Sequence, residues 1–313
     1  MRLFAVSALR EPPFPGRRHD STDQVAGESV EWARSFGLID TGQRLLRADA
    51  AGLAGRACPD GSVDRLRLLT DFITWLFVMD DACDEDGLGA APTRLAPTVG
   101  ALLDVLDRHG DPDGPPPIAA GPLGHALHDL CARTRAHDRP ALLLRFVSQV
   151  QRYLLALLWE AANREHHRVP QVAEYVQMRR HTGGVHPSLT LTDLASDGLP
   201  GAGRRAHPAL LTLDRLTVDL VCWCNDLFSY GKESRSDPDG HNLVTVIARE
   251  AGADEADALR AAAERFNRAL AAYLVAEAEL LDSGDERLRP ALAARRNWVR
   301  ATYDWSLVAA RYA

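Results

Sequence analysis

The sequence predicts an all-α fold, on three observations. Apolar residues recur at helical spacing along almost the whole chain. No stretch of any length alternates apolar and polar residues with the period of a strand. The last seventy residues are rich in Ala and Leu. Together they predict one domain of about a dozen helices.

Taken in order, residues 1–22 are rich in Pro, Arg and Gly and read as an N-terminal arm, leaving 23–313 as the helical domain. Ser21 to Phe36 suits a first helix, capped by Ser21 or Thr22 and ended near Gly37. Arg65 to about Asp81 is apolar nearly all round (Phe72, Ile73, Trp75, Leu76, Phe77, Val78, Met79), so a buried central helix is expected, ending before Gly87 and Gly89. Further helices are expected at 94–108, 123–137 and 140–165, with a Pro/Gly-rich loop at 110–122. Pro170 is expected in the first turn of the next helix, which breaks at Gly183-Gly184 and resumes after Pro187. A long apolar helix spans 207–233, a polar loop follows to 242, and 243–282 and 286–310 are again helical.

Composition bounds the function. Hydrophobic content of 46% and charged content of 25% describe an ordinary globular chain, and a net charge of −7 argues against a nucleic-acid surface. The five cysteines (Cys58, Cys83, Cys131, Cys222, Cys224) have neither zinc spacing nor the look of a disulfide framework. Reduced thiols in a cytoplasmic protein are the expectation. The N-terminus lacks the long apolar core of a signal peptide, and no apolar run is expected to span a membrane.

Two acidic segments carry the chemistry. The first is Asp80-Asp81-Ala82-Cys83-Asp84-Glu85-Asp86, at the C-terminal mouth of the buried helix. Asp80 and Asp84 share a helix face, with Asp81 adjacent. The macrodipole opposes carboxylates at a helix C-terminus, so something must compensate, and a divalent cation would do so. In the second segment, Asn225, Ser229 and Glu233 are spaced i, i+4, i+8 and put an amide oxygen, a hydroxyl and a carboxylate on one stripe. The bland alternatives are a solvated acidic helix end and a polar stripe closing a buried helix. Either would do for one segment alone; the pair favours magnesium ions gripping a phosphate or diphosphate.

At these residues the sequence resembles the bacterial class I terpene synthases (terpene cyclases). The family's Asp-Asp-x-x-Asp motif is matched by Asp80, Asp81 and Asp84. Its Asn-Asp-x-x-Ser-x-x-x-Glu motif is matched by Asn225, Asp226, Ser229 and Glu233, with Lys232 where that family commonly places lysine. A diphosphate-sensing arginine 46 residues before the asparagine falls on Arg179, the helix break with an effector carbonyl on Gly183, and a C-terminal Arg-Tyr pair on Arg311 and Tyr312. The resemblance runs from Trp32 to Tyr312.

It implies a linear isoprenyl diphosphate as substrate, farnesyl diphosphate first and geranylgeranyl diphosphate close behind, with a cluster of three Mg²⁺ ions. Asp80, Asp81 and Asp84 would hold metal on one side and Asn225, Ser229 and Glu233 on the other. Arg179, Lys232, Arg311 and Tyr312 would grip the diphosphate. Phe77 and Trp305 are expected in the pocket wall. Val78, Ala82 and Cys83 are smaller than the aromatics often found there in the family, which leaves open a larger cavity or compensation by Phe72, Trp75, Phe146, Tyr153, Trp159 or Trp223. A homodimer is common in such folds. A chain-elongating isoprenyl diphosphate synthase would carry a second Asp-Asp-x-x-Asp where this chain has the Asn/Ser/Glu pattern. A non-catalytic binding protein on the same scaffold would have no need of both motifs.

Overall fold

The computed structural model describes residues 6–39, 48–114, 116, 118–195, 207–236 and 240–312, with the side chain of Tyr312 outside that set. The described residues form twelve α-helices, joined by turns and five short 3-10 segments, with no strand among them. In chain order the helices are α1 (Thr22–Ser35), α2 (Ala50–Ala57), α3 (Val63–Asp84), α4 (Pro92–Asp107), α5 (Gly121–Arg135), α6 (Pro140–Glu165), α7 (Val172–Thr182), α8 (Val185–Ala195), α9 (Pro208–Ser236), α10 (Leu243–Ala251), α11 (Glu255–Asp282) and α12 (Arg289–Val308).

The central helix α3 packs on α1, α2, α5 and α8; α6 packs on α4, α7 and α8; α9 packs on α11 and α12. Phe72, Trp75 and Phe146 form the aromatic heart between α3 and α6, with the Phe72 and Phe146 rings 5.1 Å apart edge to face. The Trp75 indole N–H donates to the Leu123 carbonyl at 2.9 Å, so its burial leaves no orphaned donor. The N-terminal arm is held down: Leu9 and Phe14 are buried, Phe14 lies edge-on against Tyr273 of α11, and Arg300 of α12 bonds Glu11.

Several expectations need correction. Helix α2 gave no sequence signal, because it is mostly Ala and Gly and is buried on every side but that of Arg56, so no polar face marks a period. Asp49 starts it, accepting from the Gly52 amide at 3.0 Å. Pro170 lies outside α7, whose N-cap is Gln171. Pro187 lies inside α8, not before it. The 243–282 stretch is two helices, because Gly252 takes φ +60° and Asp254 caps a new start. Helix α6, contrary to expectation, is long and apolar enough to cross a membrane by length and composition alone. Half of that window is buried, through Phe146, Val150, Tyr153 and Leu157, which makes it a core helix of this fold.

Candidate active site

A cavity of about 1120 Å³ opens at the C-terminal mouth of α3 and runs down between α3, α6, the α7–α8 junction, α9 and α12. Asp80, Asp81, Asp84, Arg179, Gly183, Asn225, Ser229, Lys232, Glu233, Arg311, Phe77 and Trp305 all line it. Of the residues the sequence marked for the site, only Tyr312 has its side chain outside the described set.

On the α3 wall the carboxylates meet three cations. Arg311 Nη2 donates to Asp80 Oδ2 at 2.7 Å and to Asp81 Oδ1 at 3.2 Å. Arg164 of α6 pairs with Asp84 and also reaches the Gly89 carbonyl. Lys232 of α9 pairs with Glu85 at 3.1 Å. The compensation that an acidic helix C-terminus demands is therefore present as arginine and lysine. Enclosure in the cleft, reinforced by the neighbouring Asp80 charge, raises the Asp84 carboxyl well above the usual range.

On the α9 wall the polar groups are held from behind. Asp226 is buried and is the hub: its Oδ1 accepts from Arg179 Nε at 2.9 Å and its Oδ2 from the Tyr175 hydroxyl at 2.7 Å. Arg179 Nη2 donates to Asn225 Oδ1 at 2.9 Å. The Ser229 hydroxyl donates to the Asp226 carbonyl, and Glu233 accepts from the Asn242 amide at 2.8 Å. Burial raises both the Asp226 and the Glu233 carboxyls, against the lowering pull of Arg179 and Asn242 respectively. Burial would lower the Arg179 guanidinium, yet the Asp226 charge holds it firmly protonated.

The α7–α8 junction is shaped by three small or imino residues. Gly183 ends α7, and a side chain there would put its Cβ 2.5 Å from Cys222 Sγ. Gly184 takes φ +64°, which turns the chain. The helical partner of the Gly183 carbonyl would be the amide four residues on, but that residue is Pro187, which has no N–H. The next amide, Ser188, bonds the Gly184 carbonyl instead.

The lower wall is apolar. Phe77 and Trp305 stack with centroids 6.1 Å apart and 18° between planes, and the Arg311 guanidinium lies 4.7 Å above Phe77. Of the six aromatics set against the small residues of α3, Tyr153 alone lines the cavity among the described residues; the others are placed elsewhere in the fold. Trp298 also lines it, as do polar residues not singled out from sequence, among them Glu160, Asn163, Arg164, His241 and Asn242. Glu160 and Arg164 are one turn apart on α6, an i, i+4 opposite-charge pair that could have marked them.

The donor chemistry fits a hard divalent cation: carboxylates from α3 face an amide, a hydroxyl and a carboxylate from α9. Among the described residues no three His, Cys, Asp or Glu side chains converge on one point. Ions held here would complete their shells with water and substrate oxygens, as Mg²⁺ does at phosphate-handling sites.

Comparison with known proteins agrees with this geometry. The family described as terpene synthase family 2, C-terminal metal binding, matches residues 71–272. A 4-epi-cubebol synthase ((2E,6E)-farnesyl diphosphate cyclizing) of Streptosporangium roseum is 31% identical, over 96% of this chain and 90% of its own. A (+)-T-muurolol synthase ((2E,6E)-farnesyl diphosphate cyclizing) of Roseiflexus castenholzii is 34% identical, over 96% of this chain and 92% of its own. Among solved structures, wild-type cucumene synthase superposes with a TM-score of 0.82 at 25% identity, over 95% of this chain and 99% of that one. With the matched region spanning both acidic segments and the relatives covering almost the whole chain, this protein belongs to terpene synthase family 2 and is a bacterial class I terpene synthase.

Proposed function

We propose that this enzyme binds farnesyl diphosphate with a cluster of three Mg²⁺ ions, ionises it and closes the resulting cation into a cyclic sesquiterpene. The observation that carries the reading is the pair of oxygen-donor stripes facing each other across one cavity, Asp80, Asp81 and Asp84 on α3 and Asn225, Ser229 and Glu233 on α9. The C15 substrate is supported by the relatives whose names specify farnesyl diphosphate.

Bound Mg²⁺ would supply positive charge to the departing diphosphate. Arg179, Lys232 and Arg311 add three fixed cations at the same mouth, placed where negative charge develops as the C–O bond breaks. Tyr312, beside Arg311, is assigned to the same grip. Asp226 acts behind this line: buried itself, it aims Arg179 rather than facing the ions. Below the mouth, Phe77 and Trp305 present aromatic faces to the allylic cation and keep water out. The Gly183 carbonyl, left without its helical N–H partner by Pro187, is the acceptor nearest in chemistry to what a cation or a departing proton needs.

The test is incubation of the purified protein with Mg²⁺ and, separately, the C10, C15 and C20 diphosphates, with extracts read by gas chromatography–mass spectrometry. A cyclic product from the C15 substrate, lost in Asp80→Ala and in Asn225→Ala, is expected. Chain-elongated diphosphates on addition of the C5 unit would sink the cyclase reading in favour of the synthase.

A further inference from the structure

The loop between α9 and α10 contains a buried amide whose hydrogen bonds are all committed. Asn242 is 2% exposed. Its Nδ2 donates to Glu233 Oε2 at 2.8 Å and to the Asp226 carbonyl at 2.8 Å. Its Oδ1 accepts from the Val244 amide at 2.9 Å, which makes it the N-cap of α10. Two acceptors on one side and one donor on the other leave a single orientation for the side-chain amide. The same loop is stitched to α9 again by the Leu243 amide, directed at Asp226 Oδ2, and to α7 by the Tyr175 hydroxyl, which reaches the His241 carbonyl at 3.2 Å.

We propose that Asn242 is a positioning residue for Glu233: it fixes the carboxylate in the orientation that holds a metal ion and ties that ion to the first turn of α10. The inference rests on the reading of Glu233 as a metal ligand. Glu233 sits near the end of a long helix, and Asn242, itself fixed by the α10 cap and the Asp226 carbonyl, holds one of its two oxygens. Ser229, a neighbour on α9, also hydrogen-bonds the carboxylate, so Asn242 is the partner that ties it to the loop. Hydrogen bonds of this kind behind a ligating carboxylate are commonly worth 10–100-fold in metal affinity. Asn242 thus differs from an ordinary helix cap: the cap needs only the oxygen, and the ligand needs only the N–H.

That division of labour allows a clean test. Asn242→Ser keeps a cap acceptor and removes both side-chain N–H donors. The readout is the Mg²⁺ concentration giving half-maximal thermal stabilisation of the whole enzyme in the presence of inorganic diphosphate, with the melting temperature in metal-free buffer as the control. Asn242→Ser is expected to raise that Mg²⁺ concentration about 10–100-fold; the metal-free melting temperature, lowered by the lost bond to the Asp226 carbonyl, gives the baseline from which stabilisation is read. Glu233→Gln is measured alongside and should raise it at least as far. A shift in Glu233→Gln with none in Asn242→Ser overturns the role of Asn242 and leaves Glu233 as a ligand. No shift in Glu233→Gln removes the ligand reading, and a shift in Asn242→Ser alone would show it acting by another route. If Asn242→Ser does not fold, Asn242→Thr, also a neutral capping side chain without N–H, takes its place in the same measurement.

Discussion

Arg179 and Asp226, 47 residues apart in sequence, are joined inside the wall between α7 and α9, the guanidinium Nε donating to Oδ1 at 2.9 Å. The aspartate side chain is 2% exposed and the arginine 16%. The cavity therefore meets Arg179 and Asn225, with the carboxylate that orders the guanidinium hidden behind.

Breaking this pair should cost more than removing it. Asp226→Asn leaves a guanidinium in a poor environment without its charge partner, and a loss of about 3–5 kcal/mol in stability is expected. The double variant Arg179→Met/Asp226→Asn should lose less than the sum of the singles. Urea unfolding of the four proteins measures it; strict additivity would mean that the two side chains do not share their burial cost.

The tight approach of Gly183 to Cys222 makes a second prediction. Gly183→Ala forces its Cβ against Sγ, 2.5 Å away, and overpacking of this kind costs about 1–3 kcal/mol. Turnover should fall by at least tenfold, since the same residue carries the carbonyl. Cys222→Ala in the same chain should restore most of the stability. A Gly183→Ala protein as stable as its parent would show that the junction is looser than this.

Pro187 makes a third. Pro187→Ala supplies the N–H that the Gly183 carbonyl lacks. The expected result is a kcat lowered by about tenfold or more, of the order of one good hydrogen bond, with no loss of melting temperature. Hydrogen exchange at the new amide reports whether the bond has formed. A protected amide with unchanged kcat would show that the carbonyl takes no part in turnover.

His186 predicts how stability responds to acid. Burial, with His181 adding to it, pushes its pKa from 6.5 down to about 4. The folded protein keeps this ring neutral while the unfolded chain protonates it. Its contribution is complete above about pH 6.5 and is lost as pH falls towards 4, amounting to about 1–2 kcal/mol by pH 5. In His186→Gln the difference in unfolding free energy between pH 7 and pH 5 should shrink by that amount. An unchanged difference would place the acid sensitivity elsewhere.

Legibility in the sequence followed the range of the interactions. Helices α3, α6 and α9 were readable because their apolar periodicity is local, and the two donor stripes because i, i+4 spacing is local too. Arg179 and Arg311 were placed by resemblance. Helix α2 was not readable, since Ala and Gly leave no periodic mark. Nor could the partners of the acidic residues be read: Asp84 meets Arg164 across 80 positions, and Asn242 reaches Glu233 around the end of α9. Sequence spacing marks groups that share a helix face; it says nothing of which groups two helices bring together. The small residues beside the first motif suggested a question about cavity size, and the structure relocates it: of Val78, Ala82 and Cys83, only Cys83 lines the cavity.

The clasp of Arg311 on Asp80 and Asp81 joins the C-terminal segment to the end of the central helix. If the proposed metal ions bind those aspartates, the arginine must give way, and an evicted arginine with no anion to receive it is a loss. A diphosphate supplies that anion. Metal and diphosphate therefore substitute into an existing set of ion pairs, each making room for the other, and their affinities must be reciprocally linked. Magnesium alone should bind feebly and diphosphate alone hardly better, so the mouth would stay latched by its own residues until both arrive together. An enzyme that makes a carbocation is thereby kept from assembling its ionising charge around an empty cavity.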